Sequence, residues 1–303
     1  MTRLSVVIAV LLSTAAAMAQ SQPLSPPASK TVELRDKLIS QLSATATTLD
    51  GVMGYAIVDL TSGDRIERLP SEVFPLASTI KLTLLYELFK QADEGTVNLE
   101  EMRPLDRTQV VGGDGVLMEL TTPSLSLRDY ATLMVVLSDN TAANVLIDAV
   151  GMQKVTARMA AAGLSSLKLR RKMIDIEAAR RGDENVGAPA DVATLLAMIY
   201  RGEGLRKESA AALVAILKKF KNTALRRGVK DGIEVADKPG TLEGVESGAG
   251  IVYVPGRPYI FVATTTFLKD NAAGQAAITA ASRAAFEYFS RIAKGSEYGR
   301  EIR

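Results

Sequence analysis

The chain has 303 residues, 47% hydrophobic and 23% charged, enough for one large domain or two small ones. Its formal net charge of +2 comes without a basic block, which argues against a nucleic-acid partner. The sequence lacks His, Cys and Trp, which excludes a Ser-His-Asp triad, a cysteine nucleophile, thiolate metal sites and histidine-based zinc sites. Acid–base chemistry near neutral pH then falls to Lys, Glu, Asp or Tyr with pKa tuned by surroundings. A hydrolase so composed is of the Ser–Lys or the paired-carboxylate type, and no metal or other cofactor is expected.

Residues 1–19 read as an export signal: Arg3 gives the positive start, Leu4 to Leu12 the short apolar core, and Ala17-Met18-Ala19 the cleavage site. The core is too short for a lasting membrane span, so a periplasmic or secreted location is expected. Residues 20–30, rich in Pro and Ser, read as a disordered lead-in. Thr31 to Leu49 has helical periodicity. Val52 to Leu60 is a strand, and Thr61-Ser62-Gly63-Asp64 turns it into a second through Arg68. A buried helix follows Pro75 and stops near Gly95, and Gly112-Gly113-Asp114-Gly115 reads as a flexible loop.

Ser126-Leu127-Arg128-Asp129 is a capping box for an apolar helix through Leu137. Helices over Thr141 to Val150 and on to Ala162 come next, and then a long charged segment, Leu164 to Ala188. Pro189 opens a helix ending near Tyr200, and Glu208 to Phe220 is another. Strands are predicted over Ile233 to Thr241, Ser247 to Val254 and Tyr259 to Leu268, before a closing helix, Asn271 to Lys294. The order predicts an α+β fold, one antiparallel sheet made by both chain ends with flanking terminal helices, plus an all-helical subdomain. Residues 31–303 form a single domain in this reading, with an α/β part at 31–75 and 205–300 and a helical part at 76–204.

Three short motifs carry the chemistry. Ser78 and Lys81 sit three apart at the start of the buried helix, so their side chains share one face. A serine hydroxyl needs a neighbouring base to be nucleophilic, and a lysine serves only if burial or a second cation lowers its pKa from about 10.4. The bland alternative is an N-cap, and the spacing arises by chance about once in such a chain; Ser165 and Lys168 repeat it. Lys81 cannot be the Glu or Gln of a capping box, which favours function. Ser138-Asp139-Asn140 interrupts two helices, where such residues commonly cap and turn; Asp139 is assigned that structural part. Lys238-Pro239-Gly240-Thr241 lies on a strand, where a lysine is ordinarily solvated and Gly240 permits close backbone approach.

In this order the three motifs resemble the class A β-lactamase and penicillin-binding serine hydrolase family, over about Thr31 to Lys294. The resemblance implies Ser78 as the acylated nucleophile and Lys81 as base or relay. It further implies Ser138 as proton donor to the leaving nitrogen, Lys238 as its helper, and Asn140 as a holder of the substrate amide. Backbone N–H groups of Ser78 and Thr241 would form the oxyanion hole. The implied partner is a small β-lactam or a D-Ala-D-Ala-like peptide, and the implied state is a monomer.

Two departures stand out. Pro239 replaces the usual Thr or Ser; without an N–H it requires an edge strand, with positions 239 and 241 facing outward together. Ala249 aligns with the usual carboxylate-binding Arg. Counting on from Gly163, Met173 falls where lactamases carry the Glu that activates the deacylating water, leaving Asp175 and Glu177 as the nearest carboxylates. Acylation is therefore better supported than turnover. The leading expectation is β-lactam hydrolysis; the rivals are a peptidoglycan-directed enzyme that deacylates slowly and a non-catalytic binding module.

Overall fold

The computed structural model describes residues 29–301 apart from 122 and 297. The expected export signal and most of the lead-in lie outside them, and Ser29 and Lys30 already open the first helix. In chain order come α1 (Ser29–Thr48), β1 (Val52–Asp59), β2 (Arg65–Arg68), β3 (Phe74–Pro75), a 3-10 turn over Ala77–Ile80, and α2 (Lys81–Asp93). Next are β4 (Met102–Pro104), β5 (Ser124–Ser126), α3 (Leu127–Val136), α4 (Asn140–Val150), α5 (Met152–Ala161), α6 (Ile176–Arg180) and β6 (Val186–Gly187). The chain continues with α7 (Pro189–Arg201), α8 (Lys207–Lys218), α9 (Ala224–Arg227), β7 (Val235–Leu242), β8 (Val245–Val252), β9 (Tyr259–Thr266) and α10 (Asn271–Lys294).

The main sheet is antiparallel, in the order β2-β1-β9-β8-β7. First and last strands of the chain therefore meet in mid-sheet, as the element order predicted. Side chains alternate between faces. Tyr55, Ile57, Tyr259, Phe261 and Val252 face Leu38 and Leu42 of α1 and Ile278, Ala281 and Phe289 of α10. Ala56, Val58, Ile260, Val262, Ala249 and Ile251 face the helical body, where Val192 and Leu196 of α7 meet them. Covered on both faces, β8 is buried at every residue.

At the centre of the helical body lies α2, with Leu82, Leu84, Leu85, Leu88 and Phe89 each at most 1% exposed. A helix apolar all round belongs in an interior, and each such side chain contributes about 1.5–3 kcal/mol by burial. That burial fixes the first residue of α2, Lys81, where no water reaches it (1% exposed). The N-cap half of the box read at Ser126 forms, its hydroxyl accepting from Asp129 N at 3.1 Å, but the Asp129 carboxylate accepts from that hydroxyl at 2.8 Å in place of the Ser126 N–H that a full capping box uses.

Candidate active site

The site lies where α2, the α3–α4 break and the β7 edge converge. Ser78 is on the 3-10 turn rather than in α2 itself, and Ala77 before it has φ +48°. Left-handed backbone at a non-glycine residue is costly and gathers at functional sites. A Cβ on Gly240 would lie 2.8 Å from Ser78 N, 2.6 Å from Leu76 O and 2.7 Å from Ser247 Oγ. Only glycine lets β7 approach the serine turn so closely. The turn is tied to the sheet a second time, through Thr79 Oγ1 and Ser247 Oγ at 2.6 Å.

As the edge strand, β7 pairs with β8 alone within the sheet. Pro239, with no N–H to give, occupies an outward position opposite Gly248. Two residues on, the Thr241 N–H points the same way, toward the serine turn. Ser78 N and Thr241 N thus border a cavity of about 550 Å³ that both residues line with Asn140, Met173 and Asp175.

Behind the serine, Lys81 Nζ donates to Ser138 O at 2.5 Å, to Asn140 Oδ1 at 2.9 Å and to Ser138 Oγ at 3.3 Å. Lys238, 1% exposed, donates to Ser138 Oγ at 3.0 Å and to Pro239 O at 2.8 Å. The Ser138 hydroxyl therefore bridges two buried amines, and Ser138 too is left-handed, with φ +55°. Among the described residues the Ser78 hydroxyl has no side-chain partner; the Lys81 contacts go to the 138–140 turn. Asn140 spends both ends of its amide in the protein, Oδ1 on Lys81 and Nδ2 on Gly112 O at 3.2 Å.

Burial pushes the Lys81 ammonium down to about 7, against the opposing pull of Asp114 and Asp139. Lys238 is held well below the ordinary lysine range, first by burial and then by the charges of Lys81 and Lys221. Burial and a second cation were the two expected causes of a lowered Lys81 pKa. In the structure burial governs Lys81, and the repulsion between the amines falls on Lys238. The neighbouring Asp237 is committed to Thr223 Oγ1 (2.7 Å), Arg226 Nε (2.8 Å) and Lys221 Nζ (3.5 Å).

Asp139 does what was assigned to it, and more. One oxygen accepts from Ala142 N at 2.8 Å, capping α4; the other accepts from Val116 N and Leu117 N at 2.8 and 2.9 Å. The glycine segment read as flexible is thereby pinned over the site. A Cβ on Gly113 would lie 2.8 Å from Asn140 Nδ2, and Asp114 O accepts from Asn140 N at 3.0 Å. Asp114 is a cavity residue that spacing alone did not single out.

Met173 is buried and clamped by Asn144, its N–H donating to Oδ1 at 2.8 Å and its carbonyl accepting from Nδ2 at 3.1 Å. Its side chain lines the cavity. Asp175 also lines it, while capping α6 through Ala178 N at 2.9 Å. Glu177 points away, exposed and paired with Arg180 at 2.7 Å. A carboxylate the sequence reading missed, Glu184, lines the cavity and binds Arg171 at 2.6 Å. Ala249 is buried opposite Lys238 and offers no charge. The repeated pair, Ser165 and Lys168, is not among the residues that line this cavity: Lys168 pairs with Val186 through the backbone, and Ser166, next to Ser165, binds Asp191.

A five-stranded antiparallel sheet, a helical body and a lysine-backed serine at their junction are the layout of the class A serine β-lactamases. Comparison agrees: an ancestral class A beta-lactamase superposes with a TM-score of 0.78 at 28% identity, covering 83% of this chain and 100% of that one. An acyl-enzyme complex of a PBP-A mutant with penicillin G gives 0.76 at 27%, covering 85% and 96%. A beta-lactamase of Citrobacter koseri is 26% identical over 250 residues, 80% of this chain and 84% of that one. The chain belongs to the beta-lactamase enzyme family, whose model matches residues 37–289.

Proposed function

We propose that the protein is an exported active-serine hydrolase that opens the amide of β-lactams through an acyl-enzyme on Ser78. The observation that carries this reading is the relay Lys81–Ser138–Lys238, closed by contacts of 3.3 and 3.0 Å, with Lys81 three residues on from Ser78. Neutral Lys81 takes the Ser78 proton as Oγ attacks the lactam carbonyl. The developing oxyanion lies between the N–H groups of Ser78 and Thr241, each such donor contributing about 2.7–4 kcal/mol. Ser138 hands its proton to the departing nitrogen and recovers one from Lys81, so the proton taken from Ser78 ends on the product. Lys238 holds the Ser138 oxygen in line throughout.

A second reading is favoured by Met173. A thioether cannot activate water, so this site supports acylation more fully than deacylation. An enzyme directed at D-Ala-D-Ala-like peptides that keeps a lactam bound for long periods fits the same geometry. Intact-protein mass spectrometry after mixing with benzylpenicillin distinguishes them. Steady loss of the drug with little adduct supports hydrolysis; a long-lived adduct of one drug per chain supports the slow enzyme. Ser78→Ala abolishes the adduct and Ser165→Ala leaves it, and equal loss from both contradicts the assignment of the nucleophile.

A further inference from the structure

The cavity over Ser78 has an unbalanced rim. Asp114, Asp175, Glu184 and Glu243 line it, against a single guanidinium, Arg171. Arg171 is committed to Glu184 at 2.6 Å, which leaves three carboxylates with no ion pair among the described residues. Lys81 and Lys238 do not redress this. Both lie behind the cavity wall, 1% exposed, where burial disfavours their charged forms. Thr241 adds to the asymmetry, because its hydroxyl donates to the buried carboxylate of Glu246 at 3.0 Å. Asn271 and Gln275 hold the other Glu246 oxygen at 2.8 and 3.2 Å, so this carboxylate is fixed behind the rim. On the same rim Ile174 and Ile176 stay 43% and 58% exposed, offering aliphatic surface.

A cleft lined by one sign of charge focuses its field on the approaching ligand. Here the field is negative where an anionic acyl donor must enter. We infer that Asp114, Asp175 and Glu243 are specificity-determining residues, which make the cleft prefer acyl donors bearing an ammonium beside an apolar side chain over donors bearing an additional carboxylate. The ammonium gains three neighbours of opposite sign, and the isoleucines take up the apolar part. The inference rests on the proposed acylation of Ser78 and specifies its substrate class.

Three penicillins sharing one scaffold test it: benzylpenicillin, its α-amino analogue and its α-carboxy analogue. The second-order rate of Ser78 acylation is followed by intact mass at low and high salt. The expected order is amino, then benzyl, then carboxy. The amino-to-carboxy ratio is ~10 or more at low salt and shrinks as salt screens the rim. In the Asp175→Asn/Glu243→Gln double variant the ratio falls toward one. Equal rates in the native protein, or a ratio unchanged in that variant, overturn the inference while leaving acylation intact. No adduct with benzylpenicillin overturns the acylation reading, and this inference with it.

Discussion

At position 173 the chain has a thioether where the resemblance to class A β-lactamases leads one to expect a carboxylate. The backbone there is already in place, since Asn144 grips both the N–H and the C=O of Met173. Only the side chain is wrong for activating water. Met173→Glu is therefore expected to shorten the lifetime of the penicillin adduct by about 10²-fold, the lower end of general-base contributions. Pulse labelling followed by a chase measures it. An unchanged lifetime in a folded variant would mean that water is activated elsewhere, with Asp175 and Glu184 the carboxylates available on the cavity wall.

Much of this residue-level picture was legible in the sequence. Ser78 and Lys81 could be singled out by their spacing in a chain without His or Cys, whereas the parts given to Ser138 and Lys238 came only from the resemblance that the three motifs carry together. Partner choice was not legible. That Asn140 spends its carbonyl on Lys81, or that Thr241 gives its hydroxyl to Glu246, depends on rotamers and on chain segments far apart in sequence.

Among the elements, β7 explains its own sequence. Pro239 was readable as an edge residue because a missing N–H cannot serve an interior ladder, and the strand is indeed the sheet edge. Gly240 answers a demand from outside the strand, the carbonyl of Leu76 and the amide of Ser78. Neither backbone atom can step aside without moving the nucleophile. Gly240→Ala should cost about 1–3 kcal/mol, as overpacking does, and slow Ser78 labelling by ~10-fold or more, since misplacement of reacting groups multiplies into rate. A thermal melt and a labelling time course check both. Native labelling with a lowered melting temperature would show that β7 does not set the serine position. The 3-10 turn at Ser78 escaped the sequence reading, because apolar spacing fixes a helix face but not the tightness of its first turn.

For the molecule as a whole, burying lysines has a cost that varies with pH. Lys81 and Lys221 ionise near 10.5 in the unfolded chain, but burial lowers them to about 7 and about 8 in the fold. Between those limits the unfolded state holds more protons, so stability rises with pH. Above about 10 the trend reverses, because burial raises Tyr253 to about 12 and Tyr259 further still. Urea midpoints should climb from about pH 7 to about pH 9.5; a flat or falling midpoint would mean that these lysines stay charged inside. The antiparallel sheet joining both chain ends was readable from element order, because helices between the strand pairs leave that closure as the compact solution. Which strand would border the site followed only from Pro239.

The central claim is that a buried, neutral Lys81 primes Ser78. The pH dependence of the second-order rate of Ser78 acylation by benzylpenicillin, in the free enzyme, reports the ionisation of that base. The rate should rise through a single ionisation near 7, the value to which burial brings Lys81, and then level off. A rate flat from about pH 5.5 to about 9, or one still climbing toward the ordinary lysine range near 10.4, would contradict it.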